Sequence, residues 1–466
     1  MDAGPIGTKR LSRWQLFAYG QLVVPLAVIG LPVAIYIPPF YSGTLGLNLA
    51  AVGFILMLAR LSDVVTDPLI GRLSDRTRTR WGRRRPWLAL GVPVMMLSSY
   101  MLFVPPEQVS NLYLLIWISA IYLGFTFITI PYGAWGAEIS SDYAERNRIT
   151  GSREIFMLLG LLMAITAPII GAYLTDQGGN SASRGAMSSL GWLTVALMPI
   201  CAFIALVSVK EPPIEEVKHI PFRRGFRVIM GNGPLRLILY TSILGALAGS
   251  INAGVAVMFF EHVAELGKAS TVLIFVLFAA GVVGSPIWVS VGSRFGKHLG
   301  IAYAGIASLF VFSLVPVVIY WVKPHYPDAV FPCMMAITLI QGLTIGAAPI
   351  LGQSILADVV DLDTLKSGEQ RTAFLFAFIG MVRKIFEAVG VGIALPILAW
   401  VGFNPSAAGN SPASLFTLTA MYCIVPLILW VISVAIIWQY PITRERQVRL
   451  RIALEKRIVR RAVIRD

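Results

Sequence analysis

Two carboxylates, Asp63 and Asp67, stand inside a stretch that is otherwise almost wholly apolar, LSDVVTDPLIG. On a helix, residues four apart lie on one face. Neighbouring carboxylates repel, and both stay ionised only beside a counter-cation. Bound Na+ relieves that repulsion, and so does one shared proton. Oxygen donors suit such hard cations, and the Thr66 hydroxyl lies on the same turn. The structural alternative is a pair of aspartates that lock neighbouring helices through arginines. The chemistry expected here is reversible cation binding, with Asp63 and Asp67 as metal ligands if the ion is sodium.

Other ionisable and polar groups also fall within apolar runs. Lys384 sits mid-run between Arg383 and Glu387, where a lysine cannot readily reach water. It should face a cavity or pair with a carboxylate, either Asp63 or Asp67 or Glu387 one turn away. Exchange among such partners would couple two movements; a static ion pair is the plainer alternative. Arg153 and Glu154 open another run, where gating or local pairing competes with ligand contact. The segment TFITIPYGAW, residues 126–135, carries Thr126, Thr129 and Tyr132 around Pro131. Kinked helices with freed carbonyls are tolerated where they line cavities, so Thr129 and Tyr132 are candidate substrate contacts. Gln21, beside Pro25 and Pro32, and Gln353 are candidates of the same kind, as are Ser250, Asn252 and Gln341. Lone polar residues in apolar helices more often bond to a neighbouring helix.

These residues require an unusual scaffold. The chain of 466 residues is 56% hydrophobic and 13% charged, about half the charge of an ordinary soluble domain. Residues 87–104, 189–208 and 414–439 contain no charge at all. A run of about 20 apolar residues crosses a bilayer core, and lipid leaves no unpaired backbone satisfied, so the runs must be helices. Spans are expected near 14–41, 49–71, 87–105, 111–137, 153–175, 189–208, 236–260, 270–291, 299–321, 331–355, 371–401 and 414–439. The net charge of +14 reads as topology and anionic-lipid contact rather than nucleic-acid binding. Cys201, Cys333 and Cys423 lie in apolar runs without paired spacing, and the four histidines fall in or near loops. No nucleophile–base pair, metal cluster or nucleotide loop points to an enzyme or a cofactor, and no long soluble domain points to a sensor.

Basic residues alternate from connection to connection. Lys9, Arg10, Arg13, the 72–85 loop, Arg146, Arg148, Arg223, Arg224, Arg294, Lys297 and Lys366 share one side, while 42–48, 106–110 and 402–413 hold no Lys or Arg. That asymmetry predicts cytoplasmic termini. Asp75, Arg76 and Arg83 in the 72–85 loop could clamp helix ends in one conformation and release them in another. The expected organisation is an N-terminal six-helix bundle, 1–208; a cytoplasmic connector, 209–235; a C-terminal six-helix bundle, 236–439; and a basic amphipathic tail, 440–466, lying on the inner leaflet or solvated. The bundles repeat internally: DVVTDP at 63–68 aligns with GVVGSP at 281–286. Parallel six-helix repeats are the architecture of the major facilitator fold. Only the first copy carries the carboxylates.

The segment ARLSDVVTDPLIGRLSDRTRTRWGRRRPW, supported by ITIPYGAW, DYAERNRITGSR, ILADVVDLDTLKSGEQRTAF and GMVRKIFEAVG, resembles the glycoside–pentoside–hexuronide:cation symporters (melibiose-permease-like) of the major facilitator superfamily. The resemblance covers essentially the whole chain. It implies an all-α membrane protein of twelve transmembrane helices, in the bacterial inner membrane, importing a small solute with Na+ or H+ by alternating access. The cation site it implies is Asp63, Thr66, Asp67 and Thr126, with asparagine more usual where Thr66 stands. Lys384 and Arg153 match the family's coupling lysine and arginine. The sugar-reading aspartates of galactoside carriers are replaced by Leu22 and Thr129, and a neighbouring aromatic by Gly133. The expected solute is small and polar, a glycoside or other sugar, with galactosides disfavoured. The family also resembles lysophospholipid symporters, which makes an amphiphile the alternative. The chain is expected to act as a monomer, without nucleic acid or cofactor.

Overall fold

The computed structural model describes residues 10–140, 143–175, 180–211, 230–267, 269–367, 372–407 and 409–441. The basic tail and most of the 209–235 connector lie outside the described residues. Helices follow one another through the chain. We number them α1 (Arg13–Gly20 and Val23–Ile35), α2 (Leu49–Leu61 and Asp63–Arg76), α3 (Arg85–Phe103), α4 (Asn111–Glu138), α5 (Tyr143–Thr175) and α6 (Asn180–Ser208). There follow α7 (Gly233–His262), α8 (Ala269–Phe295), α9 (Lys297–Phe312), α10 (Val330–Ile345 and Ala347–Ser367), α11 (Thr372–Trp400) and α12 (Pro412–Thr419 and Val425–Trp438). Among the described residues, extended pairing is limited to one isolated bridge, Thr79 with Gly82. Eleven helices among the described residues are long and apolar enough to cross a membrane. The remaining long helix, α11, has the length but carries Arg383, Lys384 and Glu387.

Local chemistry explains the starts and breaks. Asn48 caps α2 by accepting from the Ala50 and Ala51 amides at 3.0 and 3.1 Å, and Ser110 caps α4 through the Tyr113 amide at 3.1 Å. Such caps satisfy amides that have no partner within the helix. α1 breaks at Gln21–Leu22, where Pro25 removes the next amide and the Val24 amide instead bonds tightly back to the Gln21 carbonyl, 3.1 Å. α2 breaks one residue before Asp63, at Ser62. Its hydroxyl donates to the Ala59 carbonyl at 2.6 Å, while Thr66 donates to the Ser62 carbonyl at 3.1 Å.

Close contacts divide the chain into two units: Met1–Glu216 with Val391–Ser411, and Val217–Gly390 with Pro412–Asp466. In the first, tyrosines weld α1 to α4. Tyr19 and Tyr132 stack at 4.5 Å, and each hydroxyl donates to the other's carbonyl, at 3.1 and 2.8 Å. In the second, Leu235, Leu239, Leu356, Val359 and Leu375 form a buried apolar cluster joining α7, α10 and α11. Large side chains such as Phe203, Phe310 and Trp400 are outward-facing and exposed. In water such surfaces would aggregate; in lipid they are the solvent-facing side.

Candidate functional site

The two aspartates open the lower segment of α2. Asp63 is its first residue, only 3% exposed, and so sits at the positive end of that segment's helix dipole. Asp67 lies one turn on and receives the Thr126 hydroxyl of α4 at 2.8 Å. Thr126 is itself 1% exposed. A carboxylate gripped by a buried hydroxyl is oriented before any ion arrives. Two of the four expected cation-site residues, Asp67 and Thr126, are thus joined between α2 and α4, and the buried Asp63 lies one turn before Asp67. Thr66 is on the same turn, but its hydroxyl is committed to the Ser62 carbonyl; what it still offers is lone pairs. Among the described residues no group of three or more His, Cys, Asp or Glu could hold a metal, so a cation here would rest on two carboxylates plus hydroxyl and carbonyl oxygens.

The seam runs in constant register. Asp67 faces Thr126, and one turn further a Cβ placed on Gly71 would stand 3.6 Å from Ile130 Cγ2. Over the Tyr122 ring lies the guanidinium of Arg60, 5.1 Å from the centroid. Arg60 escaped the sequence reading although it falls inside the 49–71 span. The rule that picked out the aspartates, the cost of an ionisable group within a membrane, applies to it equally.

The second unit treats the aligned positions differently. Ser285, aligned with Asp67, turns its hydroxyl onto the Gly281 carbonyl of its own helix at 2.7 Å. Gly284 lets α8 and α10 touch backbone to backbone: a Cβ there would fall 2.1 Å from the Leu343 carbonyl oxygen. Close glycine packing is a way to join helices without charge. The seam with carboxylates belongs to one unit alone.

The remaining candidates are placed as follows. Gln21 is buried and its amide donates to the Ala18 and Cys201 carbonyls at 3.1 and 2.7 Å, tying α1 to α6. Thr129 donates to the Phe125 carbonyl at 2.8 Å, within its own helix. The Tyr132 hydroxyl is taken by Tyr19. Gln21 and Tyr132 are thus occupied in tying helices together, and Thr129 within its own helix. Arg153 pairs with its neighbour Glu154 at 2.8 Å, both partly exposed. Gln353 is exposed. In the second unit Arg383 pairs with Glu387 at 3.4 Å, flanking the half-buried Lys384.

The 72–85 loop is a built clamp. Arg84 reaches Asp75 at 2.6 Å, Glu138 at 2.7 Å and the Ser74 hydroxyl at 2.8 Å, and Arg83 reaches Glu138 at 2.6 Å. The ends of α2, α3 and α4 are thereby joined; Arg76 is exposed. Burial alone would raise the Glu138 carboxyl, but bonds and charges from Arg84 and Arg83 outweigh it and hold it below the usual carboxylate range. Burial opposes the Arg84 charge, and Glu138 and Asp75 more than restore it. Glu211, at the start of the connector, accepts the amides of Arg83, Arg84 and Arg85 at 2.5, 2.9 and 2.7 Å and so caps α3. Gly82 makes this possible: its φ is +111°, and a Cβ there would fall 2.5 Å from Glu211 Oε2. Glu138 and Glu211 were not singled out from sequence, since their pairing with the loop arises only through folding.

The model for a family described as MFS/sugar transport protein matches residues 17–444. A relative from Danio rerio, the sodium-dependent lysophosphatidylcholine symporter 1-A, is 23% identical over 94% of this chain and 87% of its own length. YagG of Escherichia coli (strain K12), named a putative glycoside/cation symporter, is 25% identical over 87% of each chain. Among solved structures, a mutant of the nucleoside transporter NupG aligns with TM-score 0.68 at 12% identity, over 91% of this chain and all of that one, 100%. A bacterial homologue of the lysosomal transporter Spinster, inward-facing, aligns with TM-score 0.63 at 14% identity, over 92% of this chain and 97% of its own. The two structural likenesses show the shared fold.

Proposed function

The chain belongs to the MFS/sugar transport protein family, and on that premise we propose that it couples the movement of a small polar solute, a glycoside or other sugar, to Na+ or H+ bound at the α2–α4 seam. The observation that carries this reading is the pre-oriented carboxylate: Asp67 held by Thr126 at 2.8 Å, one turn from the buried Asp63. Two acids in one unit, with glycine and serine at the aligned positions of the other, form a site that the scaffold itself does not require. Cation binding relieves their repulsion, and alternating access requires that relief to favour a solute-ready state. Arg153 and Lys384 are the charged residues best suited to carry that change to the solute. The 72–85 clamp, Asp75 and Arg83 with Arg84 and Glu138, serves as the cytoplasmic latch. The basic connections support cytoplasmic termini, in a bacterial inner membrane on this reading, with the protein working as a monomer.

A second cargo, a lysophospholipid or similar amphiphile, is favoured by one observation. Relatives named for lysophosphatidylcholine match this chain as well as the glycoside/cation symporter does. The test is uptake into proteoliposomes, screening glycosides, pentosides, uronides and one lysophospholipid, each with and without a Na+ or H+ gradient. Gradient-stimulated sugar uptake is the expected result. Lysolipid uptake with silence on every sugar would replace the sugar reading, and silence on all of them under either gradient would contradict coupled transport of these solutes.

A further inference from the structure

We infer that α8, α9 and α12 bind one anionic phospholipid on their lipid-facing surface, its headgroup held by Arg294, Tyr303 and Trp438. The site lies wholly within the second unit and is independent of which solute the protein carries.

Sequence sets the charge of this face. α8, α9 and α12 contain no aspartate or glutamate, and their only lysine or arginine residues are Arg294 and Lys297. Lys297 is already paired, its ammonium reaching Asp358 of α10 at 2.6 Å. Arg294 is exposed and, among the described residues, pairs with no carboxylate. Its guanidinium carbon lies 5.4 Å from the centroid of the Phe295 ring, an attraction that orients the cation without cancelling its charge. Phosphate oxygens match the donor fork of such an arginine.

Aromatic rings extend the site from that arginine across three helices. Phe295 meets Tyr303 of α9 edge-on at 6.2 Å, and Tyr303 meets Trp438 of α12 in the same manner at 6.0 Å. All three rings are exposed, at 52%, 39% and 49%. Among the described residues, neither the Tyr303 hydroxyl nor the Trp438 indole N–H has a hydrogen-bond partner. Tryptophans of the first unit differ: Trp14 donates to Ser208 at 3.1 Å and Trp87 to Thr77 at 2.8 Å. A guanidinium, a hydroxyl and an indole N–H, with no acid among them, complement a ligand rich in acceptors. Phosphate answers Arg294, and phosphate or glycerol ester oxygens answer the other two. A track for acyl chains continues from the headgroup. Ile306 and Phe310 follow Tyr303 at helical spacing and are 47% and 68% exposed. Gly305 brings α12 hard against α9, since a Cβ there would fall 2.5 Å from Val434 Cγ2. A merely snorkelling arginine reaches headgroups at large; the ring ladder is what singles out one lipid.

The test follows thermal unfolding of the purified full-length protein in detergent, titrated with short-chain phosphatidylglycerol, phosphatidylcholine of the same chains, or inorganic phosphate. Native mass spectrometry counts the phosphatidylglycerol retained. Wild type should be stabilised saturably by phosphatidylglycerol, retain one molecule of it, and respond to neither of the others. Arg294→Gln should bind at least about tenfold more weakly, from the loss of a charge-assisted bond. Tyr303→Phe and Trp438→Phe keep a ring and remove one donor each, and each should weaken binding about threefold. Arg236→Gln removes an exposed arginine of α7 in the same unit and should titrate as wild type. Equal weakening by Arg294→Gln and Arg236→Gln would reduce the effect to diffuse surface charge and overturn the site. Equal stabilisation by phosphatidylcholine, full stabilisation by inorganic phosphate alone, or no response of wild type to phosphatidylglycerol would overturn it as well.

Discussion

The bond from Thr126 to Asp67 is the smallest unit on which the account depends. Hydrogen bonds to charged groups contribute about 1.5–3 kcal/mol when buried, so Thr126→Val should weaken cation activation by about tenfold or more. Thr126→Ser, which keeps the hydroxyl, should stay near wild type. The cation dependence of uptake checks both, and equal cation dependence in Val and wild type would contradict the role given to Thr126. The aspartates were legible in the sequence because an acid inside an apolar run needs a reason to be there. The fates of Gln21, Thr129 and Tyr132 were not. A hydroxyl or amide in a kinked helix reads the same whether it faces a cavity or a neighbour's carbonyl, and here all three face carbonyls.

Between helices, the clamp at the ends of α2, α3 and α4 makes separate predictions. Gly82→Ala forces a side chain into the left-handed region and onto Glu211 at once. It should lower stability by about 1–3 kcal/mol, read as a drop in unfolding temperature in detergent; an unchanged temperature would mean that the Glu211 cap carries no weight. Glu138 adds a pH dependence whose sign is set by its environment. Its carboxyl is held below the usual range in the folded protein. The stability it contributes is therefore complete above the unfolded-state carboxylate value and is lost as pH falls through the folded one. Glu138→Gln should be less stable than wild type at neutral pH, with the gap narrowing on acidification. A gap that widens instead would contradict the assignment. The loop's arginines were readable as a clamp, but their acids were not. Glu138 lies 54 residues from Arg84, and Glu211 lies 127, so only the return of α4 and α6 to the same end brings them together.

For the molecule as a whole, the runs of apolar residues located the helices well, because lipid demands length and hydrophobicity of every span. Helix ends were less readable. α5 begins at Tyr143 and α6 at Asn180, well before their apolar runs at 153 and 189, because polar residues continue a helix once it leaves the lipid. The unit boundary was also hidden: the residues Val391–Ser411 group with the first unit although they follow most of the second. Contact, not chain order, decides that. If basic connections lie in the cytoplasm, single cysteines placed in 42–48 and in 402–413 should label from outside intact cells, and one placed at Thr79 should not. The reverse pattern would invert the topology.

Whether cation binding at the α2–α4 seam drives accumulation is decided by comparing wild type with Asp67→Asn in proteoliposomes. A solute identified by the uptake screen would be followed both as gradient-driven uptake and as exchange at equal concentration without a gradient. Asp67→Asn should insert normally and be recovered in wild-type amounts, yet accumulate no solute against its gradient. Accumulation at the wild-type level, with the same dependence on the cation, would contradict it.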